Sequence, residues 1–379
     1  MRTNKKGMEC ASLVVATMLF LCASAQRAQA DGANSFTQTN LVSDIPGMAK
    51  ATDPDLVNPW GVSFSSASPF WVSDNGTGLA TLYNGAGVKQ MLVVTVPPPG
   101  ATPTGQVFNS SSSFNGDLFI FATEGGTITG WRGALGTTAE TLSPGTGGVY
   151  KGLAIATTPN GTYLYATDFH NNSITVFPGT GAPSLSGTFT DPNLPAGYAP
   201  FNIQTIGGKL YVTYAVQDAA KHDDVSGPGH GIVDVFDLQG NFLQRLISNG
   251  PLNSPWGMAI APTGFGSFGN DLLVGNFGDG TINAFDPSTG NFLGQLDGAN
   301  GMPLVNLGLW DLTFGNGGNG GSKSDLFFTA GIPGDGMVED HGLFGNIVPT
   351  PEPGTFALLG SGLLALIGTV RRRKNAAIA

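Results

Sequence analysis

The feature that most limits how this chain can fold is a motif that returns. Asn58-Pro59-Trp60-Gly61-Val62-Ser63-Phe64 is matched by Ser254-Pro255-Trp256-Gly257-Met258-Ala259-Ile260. A second pattern, Asp-Leu followed by two apolar residues, recurs at Asp117-Leu118-Phe119-Ile120, Asp271-Leu272-Leu273-Val274 and Asp325-Leu326-Phe327-Phe328. Repeat starts near Trp60, Phe108, Gly152, Phe201, Trp256 and Trp310 are separated by 48, 44, 49, 55 and 54 residues. Such a period, without helical periodicity, is that of a four-stranded propeller blade. Within a unit, runs such as Tyr163-Leu164-Tyr165-Ala166 and Ser173-Ile174-Thr175-Val176-Phe177 are separated by Gly- and Asn-rich turns, as hairpins require. Six units predict an all-β, six-bladed β-propeller. A seven-bladed ring or an array of β-sandwiches is the rival reading, and neither explains the Pro-Trp-Gly starts as well. The sixth unit has no fourth strand after Leu343-Phe344-Gly345-Asn346-Ile347. Residues 36–42 have strand propensity but no unit of their own. They are predicted to supply that strand and close the ring, hiding two sheet edges that would otherwise be free.

The two ends of the chain have a different character. Arg2, Lys5 and Lys6 precede an apolar stretch at 11–25, and Ala28-Gln29-Ala30 offers small residues for cleavage, so residues 1–30 read as a secretory signal peptide. Leu21 before Cys22 is too bulky for a lipoprotein signal. Cys10 and Cys22 both lie in the removed segment. The exported chain therefore has no disulfide, no thiolate zinc site and no cysteine nucleophile. At the other end, residues 354–370 carry no charge over seventeen positions. As a helix they span about 26 Å, the low end for a bilayer core of roughly 30 Å. Arg371-Arg372-Arg373-Lys374 then favours a cytoplasmic C-terminus. Prolines at 349, 351 and 353 keep the approach extended. Taken by itself, this is a C-terminal membrane anchor.

The ordered combination resembles the PEP-CTERM sorting signal of Gram-negative bacteria, with Pro351-Glu352-Pro353 matching the motif that names it. The resemblance implies that Pro351, Glu352, Pro353, Arg371, Arg372 and Arg373 form the sorting determinant. It also implies that a membrane-embedded exosortase cuts near the motif, so that the inner-membrane anchor is transient. The destination is then the cell surface or extracellular matrix, in association with exopolysaccharide or biofilm. The expected organisation is a signal peptide at 1–30, a propeller at 31–348 and a sorting tail at 349–379. Residues 35–348 also resemble an uncharacterised family of exported, NHL-like propeller proteins, through the Pro-Trp-Gly starts and the Asn276-Phe277-Gly278-Asp279-Gly280 turn. That likeness implies the fold and brings no activity with it.

Charge narrows the partners. Each end carries four cations and one anion, which leaves 8 Lys+Arg against 24 Asp+Glu in residues 31–348, near −16. Nucleic acid and other bare polyanions are poor partners for such a surface. A cationic ligand, or an anionic polymer bridged by divalent metal, suits it better.

Fold alone does not give function. In a propeller the loops between second and third strands share one face with the loops between blades, and ligands usually bind there. All four histidines fall in inferred second-to-third-strand loops: His170 in unit three, His222 and His230 in unit four, His341 in unit six. The longest such loops, 217–231 and 331–342, also carry Asp218, Asp223, Asp224, Asp335, Glu339 and Asp340. The candidate binding face is therefore His170, His222, Asp223, Asp224, His230, Asp311 and His341. Structural readings stand beside each. Trp60, Trp256 and Trp310 read as packing between blades, and Asp311 either faces the channel or caps a turn. His170 beside Asn171 and Asn172 reads as an exposed turn residue. Asp223 and Asp224 with His222 and His230 have ligand types for Ca²⁺ or a transition metal, but no EF-hand or zinc spacing. No nucleophile elbow, phosphate-binding loop or His-Glu-x-x-His motif is present. The primary expectation is a non-enzymatic envelope or matrix protein binding a glycan, metal or protein partner. The alternative is a metal-dependent lactonase or lyase, by analogy with six-bladed gluconolactonase-like hydrolases and streptogramin lyases. That reading would use Asp168, His170, Asp311 and the unit-four histidines.

Overall fold

A computed structural model describes residues 34–350 except 146 and 337. The signal peptide at 1–30, Pro351-Glu352-Pro353, the apolar stretch at 354–370 and the basic stop at 371–374 lie outside the described residues. Within them there is no α-helix, and no helix is long and apolar enough to cross a membrane.

Six antiparallel sheets form a ring. The innermost strands are Pro59–Ser63, Pro103–Phe108, Tyr150–Thr158, Tyr198–Ile206, Pro255–Ile260 and Leu309–Phe314. Each touches the next, and the last touches the first. The fold is a six-bladed propeller, as the repeats predict. Burial declines outward: Pro59–Ser63 is buried throughout, whereas the outer strands Glu140–Ser143 and Phe292–Gln295 are partly exposed.

The inner strands share one local device. Each carries a register irregularity near its start, at Pro59/Val62, Pro103/Gln106, Tyr150/Gly152, Pro200/Asn202, Pro255/Met258 and Leu309/Leu312. These bulges align Trp60, Thr104, Lys151, Phe201, Trp256 and Trp310 as equivalent residues. The second unit thus begins at Thr104, four residues before Phe108, because Pro103-Thr104-Gly105 keeps the turn chemistry without the aromatic ring. The next position is Gly in four blades, and close approach of the neighbouring strand requires it. A Cβ on Gly61 would lie 2.7 Å from the Thr104 carbonyl oxygen, and one on Gly257 would lie 2.4 Å from that of Trp310. In the other two blades the position holds Asn202 or Asp311, whose side chain bridges to the next inner strand. Asn202 Nδ2 donates to the Trp256 carbonyl at 2.8 Å, and Val62 N–H donates to Asp311 Oδ2 at 2.7 Å.

Closure follows the sequence expectation. Phe36–Ser43 pairs antiparallel with His341–Pro349 as the fourth strand of the sixth blade, and Ala51–Thr52 adds a short parallel fifth. Blade three departs from the four-stranded pattern: its sheet ends at Ser173–Pro178. The following segment leaves that sheet, and Gly187 and Phe189 N–H donate instead to the Gln239 and Gly240 carbonyls of blade four. Pro183, Pro192 and Pro195 in this segment cannot donate to a ladder, which explains the missing strand.

Candidate functional site

On the face carrying the second-to-third-strand loops, Asn75 and Glu124, directly after the second strands of blades one and two, meet His222, Asp223 and Glu339 from the longer loops of blades four and six. Below them Trp60, Trp256 and Trp310 pack with Phe201, Phe169 and Phe277 into one buried cluster. Trp60 stacks on Trp310 with centroids 3.5 Å apart, and Trp256 meets both edge-on. The tryptophan series is thus inter-blade packing, and it plugs the channel at this end.

One blade places a cation in the plug. Lys151 occupies the Trp60-equivalent position, is 2% exposed, and holds its ammonium 5.1 Å from the centre of the Trp60 ring. Lys151 Nζ donates to Glu124 Oε1 at 2.6 Å and to Asp223 Oδ1 at 3.1 Å. The network extends through amides. Asn75 Nδ2 donates to Glu124 Oε2, Asn58 Nδ2 to Glu339 Oε1, and Trp310 Nε1 to Asn58 Oδ1. His222 Nδ1 lies 2.8 Å from Asp223 Oδ1. Loops of blades one, two, four and six thereby converge on a charged mouth.

Burial alone would lower the Lys151 pKa, but Glu124 and Asp223 outweigh it and hold the amine protonated above its ordinary range. Burial likewise opposes ionisation of Glu124 and Asp223, yet Lys151 keeps both carboxyls below their usual values. Glu339 goes the other way: burial pushes it up to about 7 against the pull of Asn58.

Of the sequence candidates, His222 and Asp223 reach this mouth. Half-buried Asp224 accepts from Ser226 Oγ at 3.1 Å, and burial raises its pKa. His230 faces the Val225 carbonyl, 2.8 Å from Nδ1. His170 sits half-buried beside Asp168, whose carboxylate caps the turn by accepting from Val149 and Asn171. His341 is the first residue of its strand rather than a loop residue, and its Nδ1 lies 2.6 Å from Asp44 Oδ2. Asp311 lies below the plug, in the channel wall: it accepts from Val62 and Leu312 N–H and from the Gln204 amide. Sequence reasoning missed Lys151, Glu124, Asn58 and Asn75. Aligning the six inner strands on their bulges would have exposed Lys151 as a cation at a tryptophan position.

Glu124, His222 and Asp223 place three ligand atoms within 4.8 Å of one another, the spacing of a metal site. The chemistry of the set argues against a resident ion, because the Lys151 ammonium already bridges both carboxylates. A divalent cation would have to displace a buried, protonated lysine.

These shifts set a pH profile. Glu339 and Asp311, both pushed to about 7, and Asp234, pushed to about 8, keep protons in the folded chain that the unfolded chain has released. Their contribution to stability is full below pH 4 and is lost as pH rises through 7 to 8. Glu124 and Asp223, held low, act oppositely: their contribution is lost as pH falls below about 4. Thermal unfolding should therefore peak near pH 5 and fall by several degrees toward pH 8. A melting temperature that climbs steadily to pH 8 would contradict the profile.

Fold and tail together define a class, that of six-bladed propellers ending in a PEP-CTERM protein-sorting motif, which this chain matches over residues 349–374. Such a motif implies export and an exosortase-type sorting system. The chain belongs to a family of uncharacterised proteins that includes two from Acanthamoeba polyphaga mimivirus. One is 34% identical over 322 residues, covering 79% of this chain and 78% of its own length. The other is 33% identical over 330 residues, covering 81% and 84%. Among solved structures, the chain is similar to streptogramin B lyase, with TM-score 0.47 and 13% identity over 83% of this chain and 98% of that one. It is also similar to the PQQ-bound aldose sugar dehydrogenase of Streptomyces coelicolor, with TM-score 0.45 and 14% identity over 83% and 99%. At this level of similarity neither structure informs on activity.

Proposed function

We propose that this is a cell-envelope or extracellular-matrix protein that binds, rather than turns over, an exopolysaccharide or envelope partner through its acidic loop face. In this reading residues 31–348 are the exported cargo and residues 349–379 a temporary anchor cut by an exosortase. The observation that carries it is the self-neutralised mouth. Lys151 is spent on Glu124 and Asp223 above a sealed aromatic plug, so this face offers a charged surface in place of an activated nucleophile or an open pocket. On the loop that carries Glu339, Asp335 and Asp340 are exposed and form no ion pair among the described residues. A rim of that kind favours a cationic partner, or an anionic glycan bridged by Ca²⁺.

The test is retention of the mature protein on immobilised exopolysaccharide from its host, with Ca²⁺ present. Retention should fall severalfold on chelation and in a D335N/D340N double variant. Retention indifferent to both treatments would sink the reading. The second reading, a metal-dependent lactonase or lyase, rests on the Glu124, His222 and Asp223 geometry. It requires stoichiometric metal, lost together with turnover in His222→Ala.

A further inference from the structure

Below the aromatic plug the channel widens into a chamber of about 330 Å³ lined by all six inner strands. That is the lower end of the range for small-molecule pockets. It lies toward the face opposite the charged mouth, among the later residues of the inner strands, with half-buried Gln204 and Thr313 and exposed Thr205 at its rim. Its walls mix polar groups with apolar ones, Val62, Phe64 and Leu153 among the latter, and Trp256 contributes to its lining. The buried indole Nε1 of Trp256 finds no acceptor among the described residues. Asp311 is the one ionisable residue among those lining it. Among the described residues no cationic side chain pairs with that carboxylate, which accepts from Val62 and Leu312 N–H and from Gln204. A buried carboxylate without a countercharge is costly, and here it borders a chamber in a strongly acidic protein.

We propose that this chamber binds a small ammonium-bearing, hydroxylated ligand, an amino alcohol or amino sugar, with Asp311 as its counter-ion. The ammonium supplies the missing positive charge. The Gln204 amide and the Thr313 hydroxyl can meet ligand hydroxyls, and the apolar side chains Val62, Phe64 and Leu153 can cover the carbon frame. The site is independent of the loop-face reading above.

Asp311 has no charged neighbour in the chamber, and burial pushes its carboxyl up to about 7 against two backbone N–H donors. A cation must therefore expel its proton. Affinity should rise about tenfold per pH unit up to pH 7 and level off above it.

The experiment is ligand-observed NMR on the mature protein with glucosamine and 2-aminoethanol as probes and glucose as the neutral control. Saturable binding of at least one amine is expected, with that pH dependence, and glucose should bind at least tenfold more weakly. Asp311→Asn should lose the amine. Because that variant also disturbs the backbone contact to Val62, Thr313→Phe serves as a second: it fills the chamber from its rim and should abolish binding while leaving the melting temperature near wild type. No saturable binding of either amine, equal binding of glucose, or binding unchanged in both variants would overturn the proposal.

Discussion

Replacing Lys151 by Met should destabilise the fold by about 3–5 kcal/mol, the usual cost of removing one partner from a buried ion pair. The loss comes from what is left behind. Glu124, held ionised by that ammonium, would remain largely buried with the Asn75 amide as its hydrogen-bond partner. Asp223 adds little, because it is 64% exposed and water can solvate it. Methionine itself suits the site, since its thioether can pack on Trp60 in place of the lysine stem. The penalty should therefore shrink when Glu124 is neutralised too: K151M/E124Q is expected to recover most of the stability, as buried ion pairs replaced whole often do. Urea unfolding of the two single variants and the double one measures this. A double variant as unstable as the sum of the singles would mean that Lys151 stabilises through packing and not through charge.

Deleting residues up to Ser43 should have an even larger effect. Phe36–Ser43 buries Phe36, Leu41 and Val42 and closes blade six against His341–Pro349. It also ties that blade to blade five, since Phe36 N–H donates to the Asp297 carbonyl at 2.8 Å. Three buried apolar side chains at about 1.5–3 kcal/mol each approach the whole stability of an ordinary domain, about 5–15 kcal/mol. The truncated chain would also expose the unpaired edge of His341–Pro349, a template for association. Size-exclusion chromatography should find it aggregated, and a synthetic peptide of residues 34–44 added during refolding should restore monomer. A soluble, monomeric truncated protein would show that the ring does not need this strand.

How much of this was legible in the sequence follows from what each residue does. Ring and closure were readable because Pro-Trp-Gly starts and Asp-Leu strands impose turn and burial chemistry locally. Thr104 was not, since the same bulge geometry is met there without an aromatic ring. Lys151 was invisible for a deeper reason: in Tyr150-Lys151-Gly152 a lysine reads as solvated charge, and only the ring brings Glu124 and Asp223 to it from 27 and 72 residues away. Histidine scarcity drew attention to the right face, but scarcity does not imply convergence. His222 reaches the mouth, while His230 is held by the nearby Val225 carbonyl and His341 by Asp44 from the start of the chain's propeller. Blade three's missing strand was signalled by its prolines, and the period of the repeat masked that signal.

We propose that the mouth of this propeller, built around a lysine that Glu124 and Asp223 hold protonated, serves binding. Heteronuclear NMR of mature protein carrying ¹⁵Nζ-labelled lysine tests it most directly, with K151M identifying the resonance. The Lys151 signal should remain that of an ammonium through pH 10, slow to exchange with water. A Lys151 amine that titrates near neutrality would contradict the claim and mark the residue as a base.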